Sequence, residues 1–334
     1  MRLLRLRRPR PLPRPPYGAA LIAVRRPPLP RRRTWPALLA VLAVLLLTAA
    51  GAGWWALDHY TGRIGRIPGA LPTASAPPGD GRTFLLVGLD AGEQGPTTGR
   101  RAEDSRWHYG EQRSDTVMLV RLPEGPGQVR VVSLPRDAWV PVPGHGRAKL
   151  NAAYSWGGAA LLTDTVQRLT GLRVDHFLAV DHSGLTELVD AVGGIDLPGP
   201  DGTARHLDGE AALAHARQRQ GLPGGDLDRI RHQQLILREL LAKLRAGAGG
   251  PLGLKGVLDA VTGSVSVDEA MSDAELRRLL WRGTRELSPA DLTYRAAPLK
   301  GTGTVAGQSV VHLDLPRLAV LARALREDRA VLPR

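Results

Sequence analysis

The sequence has no cysteine, which excludes disulfides, zinc ribbons, thiol nucleophiles and a lipid-modified cysteine anchor. Lysine is almost absent too, with four residues (Lys149, Lys243, Lys255, Lys300) against 41 arginines. The nine histidines include no helical pair at metal-ligand spacing, so a zinc site is not expected. There is no Gly-x-Ser-x-Gly elbow, Walker loop or dinucleotide fingerprint. The first 33 residues contain no acid.

That last absence locates the charge. Of the formal net charge of +13, eleven arginines lie in residues 1–33, and the rest of the chain sets 34 basic residues against 32 acidic ones. A nearly neutral body does not support a whole-domain grip on nucleic acid, so no specific nucleic-acid partner is expected. The eleven arginines are mixed with eight prolines, a composition that cannot bury a core, and residues 1–33 read as a disordered basic tail. Residues 34–57 read as a transmembrane helix. From Trp35 the next 23 residues carry no charge, Arg31 to Arg33 stand before them, and Trp35 and the Trp54–Trp55 pair mark the ends. The positive-inside rule makes this a single-pass cell-membrane protein with its N-terminus in the cytoplasm and its main domain outside. A signal peptide cleaved near 47–51 is the alternative. Residues 58–82, rich in Pro and Gly, read as a spacer before a single domain at 83–328.

Within that domain, short apolar runs alternate with helical periodicity, as in an α/β fold. Strands are expected at 83–89, 116–122, 128–134 and 177–180. Helices are expected at 159–170, 183–192, 209–216, 228–244, 273–287 and 318–325, with 246–253 as a Gly-rich loop. On a helical wheel through Asp226, the residues Ile230, Ile236, Leu237, Leu240, Leu241 and Leu244 share one stripe with Arg229 and Gln233. A guanidinium and an amide on a core-facing stripe need an internal partner such as Asp226 or an anionic ligand at that end. Arg217 and Arg219, two apart, form a pair of forks suited to a phosphate or diphosphate, or else a solvated pair. Asp90 ends an apolar strand run, where α/β sheets place ligand-binding residues. Asp115 precedes one strand and Arg136 follows another, and carboxylates beside a diphosphate would be hard ligands for magnesium, a turn or capping role being the alternative for each aspartate.

The segments FLLVGLD (84–90), RSDT (113–116), SLPRD (133–137), KLNAAY (149–154), LVDAVGGI (188–195), RQR (217–219) and DLDR (226–229) with Gln233 and Gln234 occur in this order. Together they resemble the LytR-CpsA-Psr (LCP) family of cell-wall glycopolymer ligases. The resemblance implies a single α/β domain with a central mixed β-sheet flanked by helices and a hydrophobic lipid pocket, preceded by the transmembrane helix. It implies Mg²⁺-dependent (or Mn²⁺-dependent) transfer of a phosphate-linked glycopolymer from a polyprenyl-pyrophosphate carrier to peptidoglycan. Carried over by position, Asp90 and Asp115 are metal ligands, and Asp115, Arg136 and Arg219 are catalytic. Arg113, Arg136, Lys149, Arg217, Arg219, Arg229 and Gln233 bind the pyrophosphate. The chain departs from the family pattern at Gly92, where many members carry Arg, at an insertion over 91–112 that holds Arg100 and Arg101, and at His232, where Arg is common. A pyrophosphate hydrolase using the same site, or a non-enzymatic envelope regulator, are the competing readings.

Overall fold

Alternation along β2 (Arg82–Asp90) sets the architecture, sending Leu85, Val87 and Leu89 to one face and Phe84, Leu86 and Gly88 to the other. The computed structural model describes residues 62, 64–72, 81–90, 97–99, 109–125, 127–199, 202–218, 226–247 and 251–328. In it, β2 is flanked by β3 (Arg113–Leu122), antiparallel, and β7 (His176–Asp181), parallel. Beyond β3 lie β4 (Val129–Leu134) and β11 (Leu292–Ala296), and beyond β7 lie β10 (Val265–Asp268) and β1 (Gly65–Ile67). The result is the expected mixed sheet, of seven strands in the order β1-β10-β7-β2-β3-β4-β11. Three hairpins accompany it: β5 (Trp139–Val142) with β6 (Gly146–Lys149), β8 (Ile195–Pro198) with β9 (Ala204–Leu207), and β12 (Leu299–Val305) with β13 (Gln308–Leu313).

Because both faces of β2 are apolar, both are covered. On one, Leu85, Val87 and Leu89 pack with Leu162 and Val166 of α1 (Leu150–Thr170) and with Leu318, Leu321 and Leu325 of the last helix, α7 (Leu315–Arg326). Each such side chain, fully withdrawn from water, stabilises the fold by about 1.5–3 kcal/mol. Toward the other face lie α2 (His182–Ala191), α3 (Gly209–Arg217), α4 (Asp226–Gly247) and α5 (Pro251–Ser264), joined through Leu188, Ala212, Ile236, Leu240 and Ala260. A third cluster holds Phe84, Val129 and Val267 against Leu276 of α6 (Asp273–Trp281), which starts in a Ser272–Glu275 capping box.

Several expected boundaries move. The helix expected at 159–170 starts at Leu150 and kinks at Gly157 and Gly158, where Gly158 (φ 58°, ψ −151°) takes a conformation essentially closed to other residues. The kink lets residues 150–156 turn a separate face, Asn151, Ala152, Ser155 and Trp156, toward a surface cleft. The helix expected to end at 287 closes at Trp281, and a wider π turn follows over Arg282–Glu286. The Gly-rich stretch 246–253, expected as a loop, is helical at both ends: α4 runs to Gly247 and α5 begins at Pro251, and residues 248–250 lie outside the described residues. Glycines at 253, 256 and 263 had masked the periodicity of α5. Inside the span 58–82, β1 pairs with β10 and Ala70 is buried in the core. The tail and the membrane span expected at 34–57 lie outside the described residues, among which no helix is long and apolar enough to cross a membrane.

Candidate active site

The carboxyl ends of β2 and β7 and the start of β3 converge on one point. In the β2–β3 register Gly88 faces Thr116 and Leu89 faces Ser114, so Asp115 is an extra residue with no counterpart on β2. This bulge turns Asp115 to the same side as Thr116 and Met118, while Val117 and Leu119 remain in the core. Glycine at 88 permits the close approach, since a Cβ there would stand 2.9 Å from Thr116 Cβ. Asp90 ends β2. His182 follows β7, whose Asp181 lies in register with Leu89, so His182 Nδ1 comes to 3.5 Å from Asp90 Oδ1.

Asp90, Asp115 and His182 each offer one ligand atom, all within 4.8 Å of one another. That span suits a shared divalent cation with bonds of about 2.0–2.3 Å after slight contraction. Burial lowers the pKa of His182, and Arg217 adds to that effect against the pull of Asp90, so the ring is held neutral with a lone pair to donate. The donor set, two hard oxygens and one imidazole, fits Mg²⁺ and fits Mn²⁺ better. His182 was not among the sequence candidates. The available signal was its position directly after an apolar strand, the same signal that identified Asp90.

Arg136 is fixed by the turn after β4, where Ala138 N–H donates to Pro135 O (3.0 Å) and Asn151 N–H at the start of α1 donates to Arg136 O (3.0 Å). Its guanidinium donates to Asp115 and lies 3.5 Å from Asp137, which also pairs with Lys149 at 3.1 Å. Burial opposes the charge on Arg136, but Asp115, Asp137 and Asp226 outweigh it and raise the pKa above its ordinary value. Arg229 does pair with Asp226, yet burial still pushes Asp226 up and Arg229 down, and neighbouring Arg136 further disfavours the Arg229 charge. An anion at this point would relieve the crowding of the two guanidinium groups. Gln234 faces away, donating to Ser133 Oγ (2.9 Å) and Arg295 O (3.1 Å), which ties α4 to the sheet.

Two spaces meet at Asp115 and Arg136. One is an apolar cavity of about 250 Å³ between the sheet and α2–α5, walled by Leu237, Leu240, Leu241, Leu244 and Val261 and ending at Arg136, Arg217, Arg229 and Gln233. The other is a polar cleft of about 660 Å³ that takes in Asp90, Arg113 and Lys149. The residues assigned to pyrophosphate therefore divide: Arg217, Arg229 and Gln233 face the cavity, Arg113 and Lys149 face the cleft, and Arg136 faces both. Arg219 lies outside the described residues, as do Arg100 and Arg101.

The wall formed by α3 and α4 carries a stacked histidine pair, His215 and His232, with ring centroids 3.9 Å apart. Burial, then repulsion from His232 and Arg205, lowers the pKa of His215. A depressed histidine contributes stability that is fully present above its unfolded value of about 6.5 and is lost as pH falls through the lower folded value. The melting temperature is thus expected to decline on acidification below about pH 6, and His215→Gln to flatten that decline; identical profiles for the two proteins would contradict it.

A family model, described as the LytR_cpsA_psr family, matches residues 72–280, more than half of the chain. The chain belongs to the LytR-CpsA-Psr family. It is 36% identical over 214 residues to the probable cell wall biosynthesis protein LcpB of Corynebacterium glutamicum, spanning 60% of this chain and 50% of that relative. It is 33% identical over 258 residues to the polyisoprenyl-teichoic acid–peptidoglycan teichoic acid transferase TagU of Enterococcus faecalis, spanning 74% of this chain and 79% of the relative. Its fold is also that of a LytR-Csp2A-Psr enzyme from Actinomyces oris, at a TM-score of 0.59 and 20% identity over 79% of this chain and 96% of that one. Within this LytR-CpsA-Psr chain, the ordered motifs at 84–90, 113–116 and 133–137 are those that bring Asp90, Asp115 and Arg136 together.

Proposed function

We propose that the protein transfers a phosphate-linked glycopolymer from a polyprenyl diphosphate to a peptidoglycan hydroxyl, from a domain held outside the membrane by the span 34–57. The observation that carries this reading is an apolar cavity ending on three arginines beside Asp90, Asp115 and His182. A branched hydrocarbon chain suits the leucine-rich walls, and a diphosphate suits the mouth. The names of the relatives, a cell wall biosynthesis protein and a teichoic acid–peptidoglycan transferase, point the same way.

In this reading Arg217, Arg229 and Gln233 grip the diphosphate where it leaves the cavity, and Arg136 spreads its charge over the phosphate nearest the glycan. Asp115 faces both spaces and takes the proton of the incoming hydroxyl. The new bond joins that oxygen to the glycan-side phosphorus, the bridging P–O bond breaks, and polyprenyl monophosphate leaves. A divalent ion held by Asp90, Asp115 and His182 would supply further charge neutralisation on the phosphate oxygens. The residues do the remainder by positioning, as phosphoryl transfer generally requires.

The test incubates the full chain in detergent with a polyprenyl-diphosphate-linked saccharide, Mg²⁺ and peptidoglycan fragments. Covalent sugar phosphate on the fragments, abolished by chelation and by Asp115→Ala, is the expected result. Sugar phosphate released without attachment would support a hydrolase instead, and no cleavage by a folded protein would support a regulator.

A further inference from the structure

The polar cleft shares Asp115 and Arg136 with the apolar cavity but has none of the leucines that wall it. In a phosphoryl displacement the attacking and leaving oxygens lie roughly in line on opposite sides of the phosphorus. With the lipid tail in the cavity, the nucleophile has to arrive from the other side, and the cleft opens there. The cleft is a composite surface. Trp139 at the start of β5 and Trp156 on the first part of α1 are both half-buried, and Arg147, Lys149 and Gln308 stand along the same walls.

We propose that this cleft is the acceptor subsite, binding a peptidoglycan glycan strand through its sugar faces and its carboxylates; the proposal rests on the transferase reading above. Flat C–H faces of pyranose rings match an indole held in place, and Trp156 is held by His145, stacked on it at 4.9 Å and 27°. Arg147 is exposed and positioned by a hydrogen bond from its Nη2 to Trp139 O at 2.8 Å, which leaves the rest of its fork available to a carboxylate. Lys149, already beside Asp137 at 3.1 Å, adds a second cation nearer the reacting centre. The kink at Gly157–Gly158 serves this surface, because it lets the short helical piece carrying Trp156 diverge from the rest of α1. Amino sugars bearing a lactyl or peptide carboxylate present both features in one unit, whereas a neutral glycan would offer Arg147 no carboxylate for the rest of its fork.

Two measurements on the full chain test this. In the first, a soluble peptidoglycan disaccharide-peptide is titrated without donor and tryptophan emission is followed. A saturable change is expected for the wild type and for Trp156→Phe, lost in Trp156→Ala and weakened about tenfold in Arg147→Glu, the loss of one aromatic or charge-assisted contact. In the second, Michaelis constants are read separately for acceptor and donor. A rise of about tenfold in the acceptor constant with the donor constant within twofold supports the subsite. A rise in the donor constant instead would show that the cleft holds the donor's own glycan and overturn the proposal, as would wild-type affinity for the fragment in both Trp156→Ala and Arg147→Glu. Wild-type transfer that persists with no fragment binding defeats the subsite alone; absence of transfer with fragment binding intact defeats the transferase reading alone.

Discussion

Arg136→Ala is expected to lower turnover about a thousandfold while the protein remains folded. Among the described residues this guanidinium is the one cation that faces both the apolar cavity and the polar cleft, and the Arg136 backbone C=O is fixed by Asn151 N–H. Charge-stabilising donors aimed at a reacting phosphate contribute roughly 10²–10⁵ in rate. The cost in stability is smaller. Asp115 loses a partner, but its side chain is 17% exposed and water can replace part of the bond. A loss of about 1–2 kcal/mol corresponds to a melting shift of only a few degrees. Arg136→Lys, which keeps the charge and loses the fork, should recover only a small part of the rate. If Arg136→Ala instead melted tens of degrees lower, the Arg136–Asp115 pair would be a structural bridge and the site would have to be redrawn.

The second large effect concerns the cavity. Val261 lies on its wall near the end of α5, partly buried against the leucines of α4. Val261→Trp would fill space that the hydrocarbon chain is expected to occupy. Displacing three or four methylene groups from an apolar wall removes about 3 kcal/mol, or roughly a hundredfold in kcat/KM for a long-chain donor. A donor with a short prenyl chain should be affected much less, because it never reaches the blocked region. Comparing chain lengths separates blockage from damage. Equal losses for both donors would indicate a distorted fold, and no loss for either would place the lipid elsewhere.

The central strands were legible because each combines an apolar run with a turn signal, and Asp90 was legible because it closes such a run. Arg229 and Gln233 were legible from a different conflict, polar groups on a stripe that otherwise faces the core. Other parts of the site depend on relations that no local pattern encodes. Asp115 faces the cavity only because β3 carries an extra residue there, and a bulge is a property of register between two strands. His182 joins the two aspartates because β7 runs parallel to β2, a pairing between segments about ninety residues apart. Lys149 and Arg113, grouped with the pyrophosphate arginines by the family resemblance, line the polar cleft, which shares Arg136 with the cavity. The hidden helix α5 is interrupted by Gly253, Gly256 and Gly263, and the strands β10 to β13 are only four to seven residues long, too short to stand out alone; the sheet and its flanking clusters supply their partners.

The most direct measurement follows the glycan-side phosphorus. A polyprenyl-diphosphate saccharide labelled at that atom is turned over by the full chain with Mg²⁺ and peptidoglycan, and the products are separated by mass spectrometry. Transfer through the arginine cluster predicts the label in a phosphodiester on the peptidoglycan, matched one for one by unlabelled polyprenyl monophosphate. Label retained on the lipid as intact diphosphate, with the sugar joined to peptidoglycan without phosphate, would mean that a glycosidic bond had been cut and would contradict the account.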